Sequence, residues 1–311
     1  MYTPVLLQEV IKFLEPKPGE FIIDGTVGGG GHAIEIAKRI SPDGTLLAVD
    51  WDKDTLEETK LKIEANFQFP RLRPPEADYG GQAISNFQIF WIYGNYADLP
   101  EILKDKKLGK ADGLLLDLGF SSEQLEKSGK GFSFLKDEPL LMTYDRNQKP
   151  VKEILNELGE EELARIIREF GEERFAKRIS KAIVAQRKIK PIESSGELSR
   201  IVKNAVPKNY EHGRIHPATR TFQALRIYAN DELENLEKIL KAMPIILKPE
   251  GRAVITSFHS LEDRLVKNYM RRMEKENILK ILAPKPIRPS PEEIKNNPRS
   301  RSAKLRAAVM I

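Results

Sequence analysis

One stretch near the start constrains the fold more than any other. A short apolar strand, Phe21-Ile22-Ile23, runs into Asp24-Gly25-Thr26-Val27-Gly28-Gly29-Gly30-Gly31-His32. A helix from His32 to Ile40 follows, then a second apolar strand, Thr45 to Val49, stopped by Asp50. A strand joined to the next strand through a helix gives a parallel pair, because the chain must cross back before it can pair again. The rhythm extends on both sides. Leu6 to Leu14 reads as a helix ended by Pro16, Pro18 and Gly19, Leu56 to Ala65 as another, and Gln88 to Tyr93 as a third strand. Leu99 to Lys106 is helical, and Gly113 to Leu118 is a fourth strand with the unbroken apolar run of a strand buried on both faces. The expectation is an α/β fold: a mostly parallel sheet with helices on both sides. Residues 66–86, with Pro70, Pro74, Pro75, Gly80 and Gly81, interrupt it as an irregular loop.

After the fourth strand the alternation stops. Residues 151–206 look helical throughout, with Leu163, Ile166, Ile167 and Phe170 on one face and Phe175, Ile179, Ala182 and Ile183 on another. Ser194 and Glu197 have the spacing of a capping box before a helix that runs to Val206. Alternation resumes with one helix from Thr221 to Met243, a strand from Ala253 to Ser257 and a helix from Leu261 to Lys275. Ile278 to Leu282 and Leu305 to Ile311 suit a final antiparallel hairpin, separated by a basic, proline-rich loop over 284–302. The expected organisation is a discontinuous domain, 1–124 and 217–311, carrying an inserted helical domain, 125–216.

Composition removes several chemistries. The chain has no cysteine, so thiolate metal sites, iron–sulfur clusters and cysteine nucleophiles are out, and four histidines offer little for a metal; none is expected. No stretch approaches the ~18 to 20 apolar residues of a membrane span. Met1-Tyr2-Thr3-Pro4 lacks the plan of a signal peptide, so a cytoplasmic protein is expected. The net charge of +5 is unevenly spread: residues 264–311 hold 13 basic and 4 acidic groups, and Arg165 to Lys190 holds 9 and 3. Such concentration suggests a polyanionic partner, against the plainer alternative of a solvated helix face and tail.

Gly28-x-Gly30-x-x-Ala33 fits the general dinucleotide fingerprint, in which glycines bring backbone N–H groups and a helix N-terminus to a ligand. Asp50, 19 residues beyond Gly31, is placed to accept two ribose hydroxyls. A P-loop is excluded, since His32-Ala33 stands where Lys-Ser/Thr is needed. The pattern points to a nucleoside-containing cofactor and leaves S-adenosylmethionine and NAD both open. Asp117, ending the fourth strand, lies where ligands sit in open α/β sheets, with helix capping as its structural alternative.

Longer blocks carry more information. They are Asp24 to His32, Leu114-Leu-Leu-Asp-Leu-Gly-Phe-Ser-Ser122, Gly131-Phe-Ser-Phe134, Phe170-Gly-Glu-Glu-Arg-Phe-Ala-Lys-Arg178, His216-Pro-Ala-Thr-Arg-Thr-Phe-Gln223, Ser257-Phe-His-Ser-Leu-Glu-Asp-Arg264 and Asn297-Pro-Arg-Ser-Arg-Ser302. In these the chain resembles, over nearly its whole length, the bacterial small-subunit ribosomal RNA cytosine-N4 methyltransferases of the MraW type. The resemblance implies a Rossmann-like class I methyltransferase sheet with a helical insert that recognises RNA. It implies S-adenosylmethionine as cofactor, 16S rRNA within the small ribosomal subunit or an assembly intermediate as partner, and N4 of a decoding-region cytidine as target. Cofactor contacts carry over to Gly30, Gly31, His32, Asp50, Tyr96, Asp117 and Gln124, beside Gly28 of the fingerprint. Leu141 and Thr143 stand where the family usually has Asp and Arg, and segment 66–86 is longer than usual.

Cytosine N4 is a poor nucleophile because its lone pair is delocalised, and a carboxylate bonded to its N–H would orient it and offset the developing charge. Asp117 is the expected catalytic residue on that ground. Phe120, His216, Arg220, Ser257 and His259 are expected to line the substrate pocket, with Phe120, Phe132 and Phe134 able to stack on a base. Arg178, Arg299 and Arg301, with Arg165, Lys177, Lys181, Lys304 and Arg306, are expected phosphate contacts. Two rival readings remain at this level, an NAD-dependent oxidoreductase and a non-catalytic RNA-binding or ribosome-assembly factor.

Overall fold

The computed structural model describes residues 4–66, 86–119, 129–145, 147–213 and 215–311. It separates into two compact units, one of residues 1–119 with 233–311 and one of residues 120–232.

In the first unit, seven strands form one sheet in the order β3-β2-β1-β4-β5-β7-β6. They are β1 Phe21–Asp24, β2 Thr45–Asp50, β3 Gln88–Tyr93, β4 Ala111–Asp117, β5 Leu247–Ser257, β6 Leu279–Ile281 and β7 Lys304–Met310. β1 to β5 pair in parallel, and β7 runs antiparallel between β5 and β6. Alternate strand residues point to opposite faces, and both faces are covered. Ile22, Leu46, Leu115 and Val254 join Val10 and Leu14 of helix α1 (Leu7–Leu14) and Ile36 and Ile40 of α2 (Gly31–Ile40). Ile23, Leu47, Leu114 and Ile255 join Leu236 and Ile239 of α10 (Glu232–Ile246) and Val266 and Met270 of α11 (Ser260–Lys275). Helices α3 (Lys53–Asn66) and α4 (Leu99–Asp105) follow β2 and β3. No helix among the described residues is long and apolar enough to cross a membrane.

The second unit is helical: α5 Val151–Glu157, α6 Glu160–Gly171, α7 Ala176–Arg187, α8 Ser195–Ala205 and α9 Thr219–Ala229. Its core joins Leu163 and Ile167, Ile179 and Ile183, Leu198 and Val202, and Phe222 and Leu225, one apolar stripe from each of four helices. The expected capping box at Ser194 and Glu197 starts α8. Glu173, fully buried, accepts from the Phe175 N–H and the Tyr210 hydroxyl, so the Phe170–Arg178 block owes part of its pattern to core hydrogen bonding.

Three expectations change. The helix read as continuous from Thr221 to Met243 breaks after Ala229, where Asp231 has φ of 49°. Buried Asn230 donates to the Met142 and Arg226 carbonyls and accepts from the Tyr144 N–H, so its side chain is fixed by loop and helix together. The second unit therefore runs to Glu232 and includes α9, where the sequence placed the return at 217. Residues 284–302 are not all loop. Ser290 caps a short helix α12 (Pro291–Asn296) by accepting from the Glu293 N–H, and a 3₁₀ turn, Pro298–Ser302, follows. Serine, proline at the first position and glutamate at the third are a helix start, outweighed in the reading by the surrounding prolines.

Candidate functional site

Three parallel strands of the first unit end on an aspartate: β1 on Asp24, β2 on Asp50 and β4 on Asp117. Sequential strands run outward from β1 through β2 to β3, whereas β4 lies on the other side of β1. The carboxyl edge between β1 and β4 is thus the switch point at which open α/β sheets bind ligands. Register pairs Asp24 with Leu115, which puts Asp117 two residues further along the neighbouring strand.

All three carboxyls are held without a lysine or arginine partner among the described residues. Asp50 accepts from the Gly28 N–H at 2.8 Å and the Asp52 N–H at 2.8 Å. Asp24 Oδ1 accepts from the Thr26 N–H at 3.2 Å, while its buried Oδ2, like the buried Oδ1 of Asp117, has no hydrogen-bond partner among the described residues. Asp117 donates its own N–H to the Thr26 hydroxyl at 2.6 Å. Burial therefore governs their acidity. It pushes Asp24 up to about 7, with the Thr26 N–H opposing and Asp50 adding to the rise. It pushes Asp50 up to about 6 against the N–H groups of Asp52 and Gly28. It pushes Asp117 up to about 8, reinforced by the nearby charges of Asp24 and Glu262.

His32 is buried at the start of α2. Its Nε2 donates to the Val5 carbonyl at 3.1 Å, which leaves the Nδ1 lone pair facing Asp117 Oδ2 at 3.7 Å. Burial holds this imidazole down at about 4, so it is neutral near pH 7.

The glycine loop serves the fold more than was expected. Gly25, Val27, Gly28 and Gly30 donate their N–H groups to Leu115, Val49, Asp50 and Val27 respectively, so these four N–H groups are already hydrogen-bonded within the fold. A side chain at Gly30 would meet the Thr59 methyl at 2.7 Å and would sit at φ of 80°. One at Gly31 would meet Pro4 at 2.3 Å. These glycines let helix α3 and the N-terminal arm pack onto the loop, where the sequence reading assigned the space to a ligand.

Other predicted residues of this unit take distinct places. Tyr96 opens a 3₁₀ turn after β3 and is packed at the edge of the core. Ser257 ends β5 with a buried hydroxyl that has no partner among the described residues. His259 caps α11: its Nδ1 accepts from the Glu262 N–H, and Glu262 Oε2 accepts from the Phe258 and His259 N–H groups. The cap uses Nδ1, while the buried Nε2 lies 3.1 Å from Glu262 Oε1. Arg299 and Arg301 are exposed on either side of buried Ser300. Lys304 and Arg306, expected to grip phosphate, instead pair with Asp263 at 2.9 and 2.7 Å.

In the second unit, Arg174, Lys177, Arg178 and Lys181 are exposed at or along α7, at helical spacing on one side. Arg174 and Arg178 lie over the Phe175 ring at 4.9 and 5.8 Å. Arg165 is engaged by Glu162 and Glu169 on its own helix. Arg220 donates weakly to the Glu172 carbonyl, 3.4 Å away. His216 stacks on Phe134 with ring centroids 4.4 Å apart and accepts the Ala218 N–H at the start of α9. Phe132 stacks on Tyr144, so neither phenylalanine is a free platform for a base. Phe120, Gln124 and most of segment 66–86 lie outside the described residues.

Asp24, Thr26 and Glu262 were missed as site residues. The first was findable, since it ends β1 as Asp50 and Asp117 end their strands. Thr26 and Glu262 had no comparable signal.

A family model described as the MraW methylase family matches residues 1–311. A protein of Syntrophus aciditrophicus named ribosomal RNA small subunit methyltransferase H is 44% identical over 100% of this chain and 98% of its own. One of the same name from Pelobacter propionicus is 43% identical over 98% and 97%. A solved rRNA methylase from Streptococcus thermophilus aligns over 100% of this chain and 99% of its own with TM-score 0.44 and 9% identity.

Proposed function

The chain belongs to the MraW methylase family, and from that premise we propose that it transfers a methyl group from S-adenosylmethionine to the exocyclic N4 of a cytidine in the decoding region of 16S rRNA. The observation that carries the cofactor assignment is the set of three carboxyls at the switch point, two buried and Asp117 partly buried, without basic partners among the described residues. Asp24 Oδ2 and Asp117 Oδ1 lack what a cationic ligand supplies. A sulfonium and an ammonium suit that edge, whereas a pyrophosphate would meet three acidic groups and a loop whose amides are largely spent on the fold. That electrostatic argument favours S-adenosylmethionine over NAD.

The cofactor supplies an activated methyl whose sulfur departs with the bonding electron pair. Asp50 keeps lone pairs beyond those used by Gly28 and Asp52, and these suit ribose hydroxyls. Tyr96 offers a ring for adenine, and Gly28, Gly30, Gly31 and His32 shape the loop beside it. Asp117 accepts an N–H of the target amino group, orients its lone pair and offsets the charge that builds on nitrogen. The exposed basic side of α7 and the pair Arg299 and Arg301 hold phosphates, and the helical unit reads the RNA. Ser257 and Arg220 remain assigned to the substrate side.

Labelled methyl transfer to small subunits lacking base modifications, followed by nucleoside mass spectrometry, tests the reading. N4-methylcytidine is the expected product. Another methylated nucleoside would refute the target, and full activity in Asp117→Ala would refute the role of that carboxyl.

A further inference from the structure

We propose that Asp24 is a positioning residue that shares one proton with Asp117 across the β1–β4 boundary, and that this carboxyl pair receives the proton the target amino group gives up. Four observations converge on it. The two residues end neighbouring strands at the switch point. Thr26 ties them together, its N–H donating to Asp24 Oδ1 and its hydroxyl accepting the Asp117 N–H. Asp24 is buried and Asp117 partly buried, and each keeps one buried carboxyl oxygen with no hydrogen-bond partner among the described residues. The charged or titratable groups facing them are Asp50 from β2, Glu262 from α11 and the imidazole of His32 from α2, which is neutral near pH 7.

With the two residues ending neighbouring strands and no lysine or arginine paired to either carboxyl among the described residues, the charge on Asp24 raises the proton affinity of Asp117, which favours a singly protonated pair in the free protein. One proton therefore stays on the pair while the other member is an anion. The anionic member accepts an N–H of the substrate amine. As the N–CH₃ bond forms and the S–CH₃ bond breaks, the nitrogen becomes cationic and passes one proton to that carboxylate. The pair then holds two protons and returns one to water as product leaves. Thr26 fixes the spacing, and Asp24 acts through Asp117 by setting its affinity for the proton. Only this last stage rests on the proposed methyl transfer; the shared proton is a property of the free protein.

The test is isotope-edited difference infrared titration of the full-length protein labelled with ¹³C-aspartate, read at the protonated-carboxyl stretch. Wild type is expected to retain a protonated aspartate at neutral pH. Asp24→Asn keeps the acceptor for the Thr26 N–H and is nearly isosteric. It should lower the Asp117 midpoint by roughly one pH unit or more, since a like charge is gone. Asp117→Asn should lower the Asp24 midpoint reciprocally, which preserves the test if the first variant does not fold. An Asp117 midpoint unmoved by Asp24→Asn overturns the shared proton. In methyl-transfer assays the acidic inflection of the rate profile should move in Asp24→Asn from the lower value of the pair to the midpoint of the lone Asp117. A rate lowered equally at every pH, with the inflection unmoved, would mean a merely structural Asp24 and overturn the catalytic half. The infrared shift without methyl transfer in any form would leave the pair standing and remove the proposed function.

Discussion

Lowering the pH from about 8.5 to about 6.5 should stabilise the ligand-free protein, opposite to the usual behaviour of paired carboxylates. Asp117, Asp24 and Asp50 have folded values of about 8, 7 and 6 against an ordinary 3.8. A carboxyl whose folded value is raised contributes stability that is full below its unfolded pKa and lost as pH climbs through the folded one. In this window the unfolded chain has already released these protons and the folded chain takes them up, so stability grows as pH falls. Integrating over the window gives about 2 kcal/mol from Asp117, about 1 kcal/mol from Asp24 and little from Asp50. His32, held down at about 4, works in the other direction and removes a small part of this near the acid end. The net gain is about 2 to 3 kcal/mol, or ~5 to 10 °C in melting temperature for a unit of this size. Urea melts followed by tryptophan fluorescence measure it, because Trp51 adjoins Asp50 and Trp91 lies on β3, both in the first unit. Asp117→Asn should flatten most of the slope. A stability that is level, or that rises with pH across the window, would refute the assignment of these groups as buried without compensation.

Cofactor affinity should move the opposite way. Binding a cation favours the ionised carboxyls, so S-adenosylmethionine should bind more tightly as pH rises from about 6 to about 8 and should release protons near pH 7. Calorimetry in buffers of different ionisation heat reads this directly, and proton uptake would contradict it. Gly30→Ala places a methyl 2.7 Å from Thr59 at φ of 80° and should cost about 1 to 3 kcal/mol in urea melts. Replacing Lys177, Arg178 and Lys181 together by alanine should make the log–log salt dependence of RNA binding shallower by about 2 to 3; an unchanged slope would take the α7 face out of the RNA interface.

Much of the site was legible because strand termini announce themselves. Ile23 to Asp24, Val49 to Asp50 and Leu116 to Asp117 each pass from apolar strand to carboxylate at the strand's end. Asp24 carries the same signal, but the glycine run that follows it is the more prominent pattern. The glycine loop was found for a reason only partly right: Gly30 and Gly31 yield to Thr59 and Pro4, contacts between residues ~27 to 29 apart that local pattern does not expose. His259 and His216 stand out because they sit in distinctive blocks, and each also accepts an N–H at the start of a helix, a ring orientation that no spacing encodes. Lys304 and Arg306 could not be told from free cations, since Asp263, their partner, is some forty residues away in sequence.

Alternation of short apolar strands with amphipathic helices by itself determined a parallel sheet covered on both faces, a helical insertion and an edge where strand-ending carboxylates collect. Periodicity records which face of each element avoids water, and that is a local property. Tertiary structure decided how those carboxylates are charged. Their acidity depends on burial and on neighbours contributed by β1, β2, β4, α2 and α11, so whether Asp24 and Asp117 stand as anions or hold a proton between them is settled only when the strands are side by side.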